Sequence, residues 1–397
     1  MREKNIRLVF ISLLFFLQGA FAQNDRTQYP SFLSNSYFEV HMGYIQYPFS
    51  KAQLEPGYNV ESVKVPHMAV RVILLGHRFN KYLSAQVSYM RPVKWVEYES
   101  INGDEQSRSV WMGFGSLTLK SQLPLSNKLS LYGEGGLGIV TRKGFMIDNK
   151  PVVKDASFGT VFLGGGMEYH LNNKWDLLAG VSYTPPNSKE QQPYSLFYSA
   201  GFRYNMRPLS TEKVEAASRS PYIFPKHLIQ FGYSTNHFGY AVNNFTSEKV
   251  PVFWGGDVQI EKGFTLRYQR NIYHTRKVFA LNIGTSVSYW RTSQNKEELF
   301  SLALSPVFQF NLVRTRPVDA YLFYSVAGPS YLSKVYLDGL NTGKHFTFQD
   351  FMGMGIFTGK KRNINVELHI SHYSNGNIFT SNPGLKIPLT FTAGYAF

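Results

Sequence analysis

The 397 residues include no cysteine. That absence excludes a disulfide framework, a lipid-anchored N-terminal cysteine and a thiol nucleophile. Long apolar runs are missing too. A membrane-spanning helix needs roughly 20 consecutive apolar residues, and the longest such stretch, residues 8–17, is too short. Acids are scarce: 26 Asp and Glu stand against 41 Lys and Arg, a net charge of +15. A basic balance of this size raises the question of a nucleic-acid partner. No recognisable nucleic-acid module accompanies it, so none is predicted.

What is present points to export. Residues 1–7 are basic, residues 8–17 apolar, and Ala20-Phe21-Ala22 has the small-residue form of a cleavage site. Residues 1–22 therefore read as a secretory signal peptide, with Gln23 the first mature residue. The rest carries 32 Phe, 26 Tyr and 33 Gly in short segments of alternating polarity. Apolar residues facing out and polar or small ones facing in are the mark of a transmembrane β-barrel. The mean hydropathy of -0.22 agrees, because half of each such strand is polar. The predicted location is the bacterial outer membrane. There the positive charge suits the phosphates of lipopolysaccharide, or keeps loops soluble during transit.

Alternation and turn residues divide the chain. Strands are predicted near 34–47, 67–77, 80–98, 109–123, 128–142, 156–171, 174–184 and 193–206. Residues 207–226 break the pattern and read as a linker. Strands resume near 228–241, 252–274 (or a hairpin about Glu261-Lys262-Gly263), 277–292, 298–313, 318–333, 346–359, 363–375 and 388–397. The predicted class is all-β: two eight-stranded barrels in tandem, over 23–206 and 227–397. A single barrel of about sixteen strands is the alternative. The two halves end alike, in Ser199-Ala200-Gly201-Phe202-Arg203-Tyr204 and Thr392-Ala393-Gly394-Tyr395-Ala396-Phe397. If this reflects duplication, Ser182-Tyr183-Thr184 takes the place of His372-Tyr373-Ser374.

That last tripeptide is the most unusual feature. Ile364, Val366, Leu368 and Ile370 form one apolar face, and by parity His372 and Ser374 continue it. A base and a hydroxyl at the end of a lipid-facing row suggest chemistry on lipid. On the preceding strand Phe346, Phe348, Met352, Met354 and Ile356 share one parity, and so does Asp350. A charge on such a row is costly unless paired or near the interface. Centring the turn near Lys361 places Asp350 beside His372 and Phe348 beside Ser374, with Cβ atoms roughly 5 Å apart. The short basic turn at 360–362 is expected on the periplasmic side, which puts His372 and Ser374 at the level of the outer leaflet.

Residues 228–397 resemble the lipid A 3-O-deacylase family of outer-membrane enzymes. The matching segments are Phe300-Ser301-Leu302-Ala303-Leu304-Ser305-Pro306-Val307-Phe308, Phe346-Thr347-Phe348-Gln349-Asp350 and His372-Tyr373-Ser374-Asn375. Residues 23–206 resemble only small outer-membrane barrels in general. The resemblance implies hydrolysis of the ester-linked acyl chain at position 3 of lipid A. It implies Ser374 as nucleophile and His372 as general base, with Asn375 and a following glycine N–H in the oxyanion hole. The family's glycine position is Asn377 here, and Gly376 comes one residue early. The family's orienting glutamate falls at Lys386, which cannot accept an imidazole N–H. Asp350 is the candidate acid in its place, with a structural or substrate role open; a His–Ser dyad or an impaired site are the other readings.

Other polar residues read more plainly. His369 and Glu367 face inward by parity. His237, His274 and His345 have no metal-ligand spacing, and no cofactor or metal is expected. Asp319 and Asp338 read as solvated strand-end or loop residues. The leading function is a lipid A deacylase. The alternatives are a non-catalytic barrel that binds lipopolysaccharide or partner proteins, and an outer-membrane phospholipase. Oligomeric state is not legible.

Overall fold

The computed structural model describes residues 26–148, 150–249, 256–376, 378–379 and 381–397. The expected signal peptide and Asn377 lie outside the described residues. Two compact units are built on Ser31–Arg207 and on Pro208–Gly376 with Ser381–Phe397.

The first unit is a closed barrel of β1 (Ser36–Gln46), β2 (Met68–Arg78), β3 (Leu83–Pro92), β4 (Arg108–Pro124), β5 (Leu129–Lys143), β6 (Ala156–His170), β7 (Trp175–Thr184) and β8 (Ser195–Asn205). Each strand pairs antiparallel with its neighbours in sequence, and β1 closes on β8 from Tyr37↔Asn205 to Gln46↔Leu196. The second unit is a closed barrel of β9 (His227–Thr235), β10 (Val258–His274), β11 (Phe279–Thr292), β12 (Glu298–Arg314), β13 (Val318–Leu332), β14 (Phe346–Thr358), β15 (Ile364–Ser374) and β16 (Leu385–Ala396). It closes through β9 and β16, from Leu228↔Ala396 to Ser234↔Thr390. Two closed barrels replace the single sixteen-stranded alternative. Closure leaves no unpaired edge among their strands, which hydrocarbon surroundings require.

The side chains are arranged inside out relative to a water-soluble protein. On β1, Val40, Met42 and Tyr44 are more than half exposed, at 54%, 54% and 51%, whereas Glu39 and His41 are 2% and 3% exposed. On β9, Ile229, Phe231 and Tyr233 are exposed, while Gln230 and Ser234 are buried. Such apolar walls are stable only against lipid.

Both interiors are filled. In the first, Arg203 bonds Glu39 at 2.7 Å and Asp176 at 3.3 Å and also meets Glu168, while Arg71 bonds Glu134 at 2.6 Å. Pairing is what makes these buried charges tolerable. Above them Tyr47, Phe49, Val60, Tyr98, Met112 and Phe197 belong to an apolar cluster that fills one end. In the second barrel Arg267 meets Glu367, and Tyr321 donates to Glu367 at 2.7 Å while accepting from Asn365 at 2.7 Å.

Several local expectations change. β9 stops at Thr235 and gives way to a 3-10 turn, Asn236–Phe238, and a helix, Ala241–Lys249. Residues 258–274 are one strand, with no hairpin at Glu261. The linker contains the helix Thr211–Ser218. Asp319 is buried, 3.0 Å from Arg314 and 3.1 Å from Arg362. Asp338 accepts from the Thr292 hydroxyl at 2.6 Å and the Asn295 N–H at 2.8 Å. Ser182 and Thr184 are buried and Tyr183 is exposed, the reverse of the parity at 372–374. Ser182-Tyr183-Thr184 is therefore no counterpart of His372-Tyr373-Ser374.

Candidate active site

Tyr373 fixes the orientation of the residues on either side of it. It points into the barrel, fully buried, with its hydroxyl 2.9 Å from Ser301 Oγ. Its ring meets Trp290 edge-on at 6.4 Å, and Trp290 Nε1 donates to the same serine at 3.0 Å. Alternation then turns His372 and Ser374 to the outer wall.

The register across the β14–β15 turn is the one its centre at Lys361 requires. Asp350 pairs with His372 and Phe348 with Ser374, unbroken down to Thr358↔Ile364. On the other side β16 has a register shift between the partners of His369 and Ser371, after which His372 pairs with Lys386. His372 thus stands between an acid on one neighbouring strand and a base on the other. It is 5% exposed, and its ring is hydrogen-bonded to the backbone of Leu385.

Asp350 has a second attachment. β13 bulges between Ser325 and Gly328, and Ala327 there adopts a φ of 52°. Its N–H donates to Asp350 Oδ1 at 2.5 Å. The bulge turns an N–H outward and gives the carboxylate a partner on an apolar row, lowering the cost of placing it there.

Ser374 is held by the loop that follows it. Asn382 Nδ2 donates to Ser374 Oγ at 2.9 Å, and the Gly376 N–H donates to it at 3.2 Å. Gly376 has a φ of 62°, a left-handed conformation that suits glycine. Two donors thus converge on one hydroxyl oxygen. Asn382 Oδ1 accepts from the Asn375 N–H at 2.9 Å, which ties the loop to the strand end.

Asn375 is held in the loop. Its Nδ2 donates to the Ser381 carbonyl at 2.7 Å and the Thr342 carbonyl at 3.4 Å. With its N–H also bonded, its donors brace the loop. Lys386, the residue at the family's acid position, reaches away and donates to Asn244 Oδ1 at 2.8 Å. Asn382 was not singled out by sequence, where it reads only as part of a Ser-Asn-Pro-Gly turn. Among the described residues no group of three or more His, Cys, Asp or Glu is placed to hold a metal ion.

Comparison with known proteins adds two family matches. Residues 8–207 match the outer membrane protein beta-barrel domain. Residues 262–395 match the lipid A 3-O-deacylase (PagL) family, a span that includes Asp350, His372, Ser374, Asn382 and Lys386. Among solved structures, the outer membrane enzyme PagL is 16% identical, covering 43% of this chain and 98% of its own, with a TM-score of 0.29. Neisserial surface protein A is also 16% identical, covering 43% and 97%, with a TM-score of 0.28. The N-terminal β-barrel domain of Pseudomonas aeruginosa OprF is 14% identical, covering 43% and 98%, with a TM-score of 0.28. No curated protein matches the chain.

Proposed function

Since the chain belongs to the outer membrane β-barrel proteins, and its second barrel matches the lipid A 3-O-deacylases, we propose that this barrel is a serine esterase of the outer leaflet. Its substrate is the ester-linked acyl chain at position 3 of lipid A. The observation that carries this reading is the pair of donors on Ser374 Oγ, from Asn382 and Gly376, two residues beyond His372 on the same face of β15.

Ser374 Oγ attacks the ester carbonyl carbon while His372 takes its proton. The carbonyl π pair moves to oxygen, and the Gly376 N–H and Asn382 Nδ2–H stabilise the resulting oxyanion. Collapse releases the sugar oxygen, which takes the proton from His372. Water, with His372 again as base, then frees the fatty acid from Ser374. Asp350, beside His372 in the ladder, supplies the negative charge that favours the imidazolium.

Asp350→Asn tests that last role. Asparagine still offers an Oδ1 to the Ala327 N–H, so the bulge keeps its partner. The turnover number is expected to fall about tenfold to a hundredfold with KM little changed. Unchanged turnover would make Asp350 a bulge-supporting residue only.

Detergent-purified full-length protein, given lipid A and phosphatidylethanolamine separately, tests the function. Release of hydroxyacyl chains from lipid A supports the esterase. Preferential release of fatty acid from phosphatidylethanolamine identifies a phospholipase. Binding of lipid A without hydrolysis favours the non-catalytic barrel, a reading motivated by Lys386 standing where the family's acid is expected.

A further inference from the structure

The segment that follows β9, residues 236–247, is inverted in the same sense as the barrel wall. In the helix Ala241–Lys249, Asn243 and Thr246 are buried, at 5% and 4% exposure. Val242 and Phe245, three residues apart and hence neighbours on the helix surface, are 52% and 62% exposed. Phe238, in the turn just before, is 62% exposed as well. A helix packed on a water-soluble protein shows the opposite arrangement, with its apolar stripe inward. Isolated exposed apolar residues need no explanation, but here polar side chains face the protein in exchange for a valine and a phenylalanine facing out.

The placement of this segment is as informative as its composition. Asn243 Nδ2 donates to the Ile387 carbonyl at 2.8 Å, and Asn244 accepts from Lys386 at 2.8 Å. Both partners lie at the start of β16, and Lys386 is the cross-strand neighbour of His372. Phe238 packs on Phe391 with ring centroids 5.8 Å apart. Phe391 belongs to the exposed apolar row of β16 and pairs with Leu368 on β15. The outward apolar surface of the segment is therefore continuous with the lipid-facing wall beside His372. On the far side of β15, Phe348 stands opposite Ser374 and packs on Phe346 at 5.1 Å.

We propose that residues 236–249 form a lip seated in outer-leaflet hydrocarbon, and that a lipid acyl chain lies along the wall between this lip and Phe348. The lip extends the wall beyond the end of β9, up to the level of Ser374. Lys386 then serves as its tether at the family's acid position. The hydrocarbon seat stands on the inverted helix alone. The alignment of a cleavable chain rests on the esterase reading above.

Site-directed spin labelling reads the seat without any activity, and the lack of cysteine makes each label unique. Phe245→Cys, Val242→Cys and Lys296→Cys full-length proteins are labelled with a nitroxide and reconstituted in phospholipid vesicles. Lys296 lies in an outer loop, with its side chain 45% exposed. Labels at 245 and 242 are expected to favour collision with dissolved oxygen over a water-soluble nickel chelate several-fold more than the label at 296. Equal preference at all three positions overturns the lip. Because 242 and 245 are labelled independently, failure of one variant to fold leaves the other to decide.

A second arm concerns the acyl chain. Phe245→Asp is expected to lower hydrolysis of lipid A about tenfold, while a short water-soluble ester is turned over as before. Equal losses on both substrates would overturn the chain-aligning role. Absence of hydrolysis in the unmodified protein, with the labels still in hydrocarbon, would count against the esterase reading and leave the hydrocarbon seat standing.

Discussion

Ser374→Ala is expected to lower lipid A hydrolysis by detergent-purified protein about 10⁴-fold or more, leaving only the residual rate that substrate binding and the oxyanion donors supply to water. That is at least about 5.5 kcal/mol of transition-state stabilisation. The size follows from the chemistry. No cysteine is available as a substitute nucleophile, so attack falls to water. Folding should be untouched. Among the described residues the Ser374 side chain bonds Gly376 and Asn382 of the loop, while Tyr373 carries the buried anchor to Ser301 and Trp290. Affinity for lipid A should change little, because the apolar wall remains. The measurement is single-turnover acyl release together with the folded-barrel mobility on unheated gels. A fully folded variant that still hydrolyses lipid A at the normal rate would remove Ser374 from the chemistry.

Asn382→Ala is expected to cost about 10²–10³ in the turnover number, the usual loss for one oxyanion donor. Two effects are mixed in that variant, since Asn382 also receives the Asn375 N–H through Oδ1. Asn382→Asp separates them. Aspartate keeps an acceptor for Asn375 but has no N–H for the oxyanion, and its charge opposes the developing one. If Asn382 acts as a donor, both variants lose turnover with KM nearly constant. If it only braces the loop, Asn382→Asp retains most of the activity.

How much of this was legible depended on periodicity. The sixteen barrel strands and the outward parity of His372 and Ser374 follow from period-two alternation, which a lipid-facing wall enforces strictly, and the division into two barrels follows from the break in that alternation at 207–226. The Asp350–His372 pairing followed from the turn centre at Lys361, because nothing interrupts the ladder between Thr358↔Ile364 and Phe348↔Ser374. Where the ladder is interrupted, sequence was silent. The bulge at Ala327 that supports Asp350 has no alternation to betray it. The helix Ala241–Lys249 was missed because it falls in the gap between the strands predicted near 228–241 and 252–274, and its inward polar and outward apolar side chains invert the pattern of a soluble helix. Asp319 looked solvated because it sits at a strand end, yet Arg314 and Arg362 close over it from both sides in sequence. Which amide, Asn382 or Asn375, meets Ser374 was not legible, since in loops the direction of an amide is set by carbonyls distant in the chain, here those of Thr342 and Ser381 for Asn375.

Mass spectrometry of lipid A from a lipopolysaccharide-producing host addresses the central claim most directly. Three strains are compared: one without the protein, one with it, and one with Ser374→Ala at equal outer-membrane abundance. The expected result is a lipid A species lacking the 3-position hydroxyacyl chain only in the strain carrying the unaltered protein. Identical lipid A in all three strains would contradict it.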